Sequence, residues 1–385
     1  MEVKNIASKD SDWEVLLTFF PEEWQQKCKE LGALRRCRKF AEAESLVRTL
    51  LIHLADGCSL RETAVRASEG NIANISDVAL LKRLRASGEW FRWMAVELMK
   101  DWVAKQPSAI FGKNLRIRII DGTTIQEPGS TGSTWRLHYS IGLPSLQCDE
   151  VYLTSPKVGE SFKRFSVHAG DLFLADRGYA KRSGIGHIVR GGGNVIVRIN
   201  LNVPLLDRGS NRYLLLEQLR TLSGTRVGDW NVAMQDEDLL IDGRVCAIKK
   251  SKEAAEKARR KIIKESKKKG NNPKPETLEA AEYIFVFTTL EGRLSATTIL
   301  EMYRGRWQVE LVFKRLKSIM GLGHLKKTDI EAAKAWIHGK LFVAFLIEAL
   351  IIAGESFFPW GYPIHESSGT ITMPVERDIL YAPSS

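Results

Sequence analysis

The sequence predicts an α/β protein in which a helical N-terminal domain precedes a sheet-and-helix core, with a β-rich insertion ahead of the core's last helices. Three observations predict it. Helical spacing of apolar residues runs from the N-terminus to about residue 108; period-two alternation begins at Leu115; and helical spacing returns at Ser295. With 385 residues the chain has room for roughly two or three domains. Lys and Arg number 57 against 46 Asp and Glu, a net charge of +11, which favours a polyanionic partner and puts nucleic acid first. Asp10, Asp12 and Glu14 stand where a secretory signal needs an unbroken apolar run, so an intracellular protein is expected. The apolar stretch over 341–354 is interrupted by Glu348 and is short for a bilayer of about 30 Å, so no membrane partner is expected. Five scattered cysteines, with no C-x-x-C pair, argue against disulfides and structural zinc.

Each element follows from local pattern. Ala43, Leu46, Val47, Leu50 and Leu54 lie three and four apart, the stripe of an amphipathic helix. Ser59 and Glu62 have capping-box spacing, and a second short helix is expected over 76–86. The pair is a candidate helix-turn-helix, with plain bundle packing as the alternative. Leu115, Ile117 and Ile119 then alternate with Arg116 and Arg118, a strand expected to end at Asp121 before Gly122. Extended segments over 135–142 and 150–154 flank a turn, as in an antiparallel meander. Residues 171–175 form a short buried strand ending at Asp176, and a fifth strand over 194–199 follows a helix-length segment and the Gly191, Gly192, Gly193 break. Residues 200–290 abandon this alternation and read as an insertion, with strands over 239–248 and 283–290. Between them, the basic stretch 249–269, with Arg259, Arg260 and Lys261 at its centre, reads as a solvated helix whose charges either meet phosphate or face water. One long helix is expected over 295–320 and an increasingly apolar one over 329–354; the proline-containing remainder reads as an extended tail. The domains are therefore 1–110, helical and DNA-binding; 111–355, the core with its insertion at about 200–290; and 356–385, the tail.

Chemistry concentrates at two places. On the helix over 295–320, Tyr303, Arg306, Glu310 and Lys317 are spaced by three, four and seven and share one stripe, beside an apolar stripe of Val309, Val312, Phe313 and Leu316. Alone, that stripe describes an exposed helix with an Arg306–Glu310 pair. Asp121 and Asp176, each at the C-terminal end of a short apolar strand, change the reading, because that edge of an open sheet is where ligands bind. The β-β-β-α-β-α-β order is that of the ribonuclease-H fold, in which the first and fourth strands are neighbours. Glu310 would complete a set of three carboxylates, which repel one another unless divalent cations neutralise them. Hard oxygen ligands suit Mg²⁺ or Mn²⁺, and two such ions catalyse phosphoryl transfer.

These residues resemble the DDE transposases of bacterial insertion sequences, particularly the insertion-sequence-four family. Its Y-x2-R-x3-E-x6-K signature is matched by Tyr303, Arg306, Glu310 and Lys317, its D-R-G-Y by Asp176, Arg177, Gly178 and Tyr179, and its first aspartate by Asp121 in I-D-G-T-T. The match covers about residues 115 to 345, the β-rich insertion included. The resemblance implies a ribonuclease-H-like core and an enzyme that binds the terminal inverted repeats of its element and target DNA, and cuts and rejoins strands by a cut-and-paste route. It also implies Asp121, Asp176 and Glu310 as ligands of two Mg²⁺ or Mn²⁺ ions, Tyr303, Arg306 and Lys317 as phosphate contacts, a homodimer in the active complex, and a cytoplasmic, nucleoid-associated location. Two alternatives are a transposase-derived DNA-binding protein without catalysis and a nuclease on the same fold, from which strand joining separates it.

Overall fold

The structure, a computed structural model, describes residues 9–35, 39–105, 115–126, 129, 135–143, 145–290, 292, 294–319, 321–322, 325 and 329–355. The tail over 356–385 and Cys37 lie outside the described residues. The chain opens with helices α1 (Lys9–Leu17), α2 (Trp24–Glu30), α3 (Ala43–Leu54), α4 (Leu60–Glu69), α5 (Asp77–Ala86) and α6 (Gly88–Lys105). Ser59 and Ser76 cap α4 and α5 by accepting the N–H groups of Glu62 and Ala79, which explains why these helices begin where they do.

The core follows as β1 (Arg116–Ile125), β2 (Trp135–Leu143), β3 (Cys148–Thr154), β4 (Asp171–Ala175), α7 (Arg182–Arg190) and β5 (Asn194–Arg198). Next come α8 (Leu215–Arg220), β6 (Val227–Asp236), β7 (Leu239–Lys249), α9 (Lys252–Lys268), α10 (Pro275–Ala280) and β8 (Tyr283–Thr288). The chain closes with α11 (Ala296–Arg304), α12 (Gln308–Lys314) and α13 (Ile330–Glu355). Among the described residues the strands form one sheet in the order β3-β2-β1-β4-β5-β8-β7-β6. The β1–β4 and β4–β5 pairs are parallel and the rest antiparallel. The insertion thus extends the central sheet rather than standing apart from it.

Both faces of that sheet are covered. Ile117, Ile119, Leu172, Leu174 and Ile196 join a core shared with the N-terminal helices, α11, α12 and α13. Ile120, Phe173, Ala175, Val195 and Val197 face a second core built with Ile185 and Ile188 of α7 and Leu215 and Leu219 of α8. Because of this double cover, even an arginine of the alternating first strand is buried: Arg118 is 1% exposed. It lies over the Phe173 ring and donates to Asp149 at 2.8 Å and Glu150 at 2.6 Å, with Asp171 at 3.4 Å. A buried guanidinium needs such partners.

Other boundaries differ from expectation for identifiable reasons. β1 does not end at Asp121 but pairs with β2 as far as Ile125, opposite Trp135. The expected long helix over 295–320 is interrupted by a 3₁₀ turn at Gly305–Trp307 and closes in a π-helical turn at Arg315–Ile319. Gly305, a poor helix former, opens the interruption. β6 went unpredicted because its apolar run, Val232 to Met234, is only three residues long and lies between Asp229, Asn231, Gln235 and Asp236. The helix expected over 329–354 is found as α13, but its apolar character extends beyond the stretch 341–354 judged too short for a bilayer: Ile330–Ala353, at mean hydropathy 1.8, is long and apolar enough to cross a membrane. In this fold 61% of that window is buried, and α13 packs on α6, α5 and α3 as a core helix.

Candidate active site

The register of β1 on β4 builds the site. Ile120 opposite Ala175 is the last parallel pair, so the next residue on each strand, Asp121 and Asp176, leaves the ladder beside the other. β4 stops there and turns through a 3₁₀ segment at Arg177–Tyr179. Asp121 Oδ1 accepts the Gly122 N–H at 2.7 Å. Burial pushes the Asp121 carboxyl up to about 6, and the charges of Glu160 and Asp176 add to the rise against the opposing pull of Gly122 and Arg306. At Asp176 burial also favours the neutral form, but it is outweighed by the Arg177 backbone N–H, Arg306, Arg198 and a hydrogen bond donated by Tyr303 at 3.2 Å, so its carboxyl lies below the usual range.

Arg306 ties the helical stripe to the strands. Its Nη2 donates to Glu310 Oε1 at 2.7 Å, while Nη1 lies 3.6 Å from Asp121 Oδ2. Its Nε is buried without a partner. The Glu310 side chain is 61% exposed and reaches the aspartates through Arg306 rather than facing them. Asp121, Asp176, Tyr303 and Arg306 therefore form one cluster with Glu310 at its rim. Among the described residues no group of three or more His, Cys, Asp or Glu side chains is arranged to hold a metal ion. Lys317 lies on the π-helical turn, half-buried, and burial lowers its pKa. Arg259, Arg260 and Lys261 lie on α9, a helix with no buried residue, where Arg259 pairs with Glu282 and Arg260 with Glu256.

Sequence reasoning missed three charged neighbours. Arg198 ends β5, one strand beyond Asp176. Lys250 follows β7 and donates to the Ala281 carbonyl at 2.7 Å; burial pushes its ammonium down to about 8. Both line a cavity of about 370 Å³ with Tyr303, Arg304, Arg306 and Trp307 over a floor of Val227, Ile248 and Ile284. Glu160, between β3 and β4, is the third. Arg198 had a legible signal in its strand-end position; the other two had none.

Residues 157–346 match the family model described as the transposase DDE domain. Over 359 residues the chain is 34% identical to the transposase for insertion sequence element IS421 of Escherichia coli, covering 90% of this chain and 96% of that protein. The chain belongs to the DDE transposases of insertion sequences. A more distant relative, the transposase for insertion sequence element IS231B of Bacillus thuringiensis subsp. berliner, is 23% identical over 369 residues, covering 85% of this chain and 76% of that protein. The piggyBac transposase, solved as a synaptic complex with hairpin DNA, aligns with a TM-score of 0.44 and 10% identity over 89% of this chain and 74% of that one. The transposase is thus a phosphoryl-transfer enzyme, and its family implies catalysis dependent on divalent metal. The donor set suits such an ion: two hard carboxylates lie side by side, and the Arg306 guanidinium already stands against one of them as a positive counter-charge.

Proposed function

We propose that this transposase binds the terminal inverted repeats of its element as double-stranded DNA and moves it by a cut-and-paste route, with Asp121, Asp176 and Glu310 holding two Mg²⁺ or Mn²⁺ ions. The observation that carries the reading is the β1–β4 register, which leaves the two aspartates adjacent beside an arginine-bound glutamate. Bound there, the ions would supply Lewis acidity and counter-charge for displacement at phosphorus.

The chain's own groups divide the remaining work. Tyr303 fixes Asp176 by its hydrogen bond. Arg306 balances Asp121 and Glu310 while DNA is absent; an entering phosphate competes for its fork, and Glu310 is released toward the aspartates. Lys317, half-buried, sets a second positive charge along the strand. Exposed Trp307, beside Arg198 and Lys250, offers a surface on which an unpaired base can stack. The basic α9 and the N-terminal helices hold the duplex outside the site. A homodimer pairs the two ends, and the exposed Ile347 and Ile351 on α13 favour association of two copies.

Purified protein incubated with end-containing duplex, supercoiled target and Mg²⁺ tests this. Sequenced products should show cleavage at the element ends and joining to target, both abolished by chelator. Cleavage without joining would make the protein a nuclease, and neither activity would make it a binding protein.

A further inference from the structure

Glu160 belongs to no part of the transposase signature, yet its carboxylate is set against both aspartate-bearing segments at once. A methyl group on Gly122 would stand 3.1 Å from Glu160 Oε1, and one on Gly178 would stand 1.8 Å from Oε2. Gly122 directly follows Asp121, and Gly178 is the second residue after Asp176. Neither glycine has a positive φ, so the backbone conformation does not require glycine at either position. What a side chain at either position would meet first is the Glu160 carboxylate. Glu160 also sets a negative charge close enough to Asp121 to disfavour the charged form of that carboxylate. Of the nearby cations, Arg136 donates to the Val158 carbonyl at 3.4 Å. A repulsive arrangement this closely fitted makes sense where positive charge is to be drawn in.

We propose that Glu160 is a positioning residue of the transposition site: it braces the segments carrying Asp121 and Asp176 against each other and adds the charge that draws a divalent cation between them. The inference rests on the transposase reading of those aspartates. Glu160 acts through them, as groups surrounding a metal site act through the ligands they orient, and removing such a group commonly weakens metal binding about tenfold or more.

The test is Mn²⁺ binding to the full-length protein, followed by the electron paramagnetic resonance signal of free Mn²⁺, beside melting temperature and binding to end-containing duplex. Glu160→Gln keeps the shape and removes the charge. It should weaken Mn²⁺ binding about tenfold while leaving melting temperature and duplex binding near the parent values. Gly178→Ala should weaken Mn²⁺ binding by displacing the carboxylate, and adding Glu160→Ala to it should cost less than the two single effects combined, because the clash is gone. If Gly178→Ala does not fold, Glu160→Gln still decides. Parent-like Mn²⁺ binding by Glu160→Gln, with binding lost in Asp121→Asn, overturns the role of Glu160 alone. Parent-like binding by Asp121→Asn overturns the transposase reading beneath it.

Discussion

Asp121 and Asp176 are the same side chain at equivalent strand positions, and their surroundings hold them in different states. Asp176 has Tyr303, a backbone N–H and two guanidiniums to favour its charge; Asp121 has burial, Glu160 and Asp176 against it. The sign of the consequence is fixed. Because folding raises the Asp121 pKa from 3.8 to about 6, its neutral form favours the fold at low pH, and that contribution is lost as pH rises through this window. In chelator, Asp121→Asn should therefore melt at or above the parent at pH 8, with the advantage shrinking toward pH 4. A variant less stable than the parent at pH 8 would contradict the assignment. Residues of this kind were only partly legible in sequence. Asp176, Tyr303, Arg306, Glu310 and Lys317 are bound by local spacing, which sequence displays. Arg198 had only its strand-end position to mark it, and Glu160 and Lys250 are brought near the site across chain separations that only the folded sheet closes.

Elements were legible where one period persisted and obscure where packing overrode it. The alternating arginines of β1 announced a strand, yet they concealed that Arg118 is buried among three carboxylates, since period two reports alternation and not whether the second face is covered. The signature helix kept its apolar stripe, but Gly305 and the π-helical turn divide it, so that Glu310 and Lys317 sit on differently wound segments. Such turns are frequent at functional sites. The basic run is a helix, α9, with no buried residue, and its ion pairs to Glu282 and Glu256 are surface pairs of small worth that phosphate can replace. Replacing Arg259, Arg260 and Lys261 with Ala should weaken binding to end-containing and random duplexes alike, and flatten the log-log salt dependence by up to about three units. An unchanged slope would show that α9 faces only solvent.

At the scale of the molecule, the N-terminal helices are not an appended module. They share one apolar core with α13 and the sheet face carrying Ile117, Leu172 and Ile196, so that they are packed directly on the strands that carry Asp121 and precede Asp176. The helical opening, the pairing of β1 with β4 and the position of the insertion were readable from the sequence; the place of the insertion's strands in the sheet and the way α13 closes against the first helices were not, because apolarity marks burial without naming the partner. The proposed activity needs three carboxylates to act as a unit, and here Glu310 is paired with Arg306 at the rim. The most direct measurement is strand cleavage of an end-containing duplex in Mg²⁺ by Asp121→Asn, Asp176→Asn and Glu310→Gln, each scored beside duplex binding. All three should bind like the parent, and each should lose cleavage by at least about a thousandfold, roughly 4 kcal/mol of barrier. Cleavage at the parent rate by Glu310→Gln, or by either aspartate variant, would contradict the three-carboxylate reading.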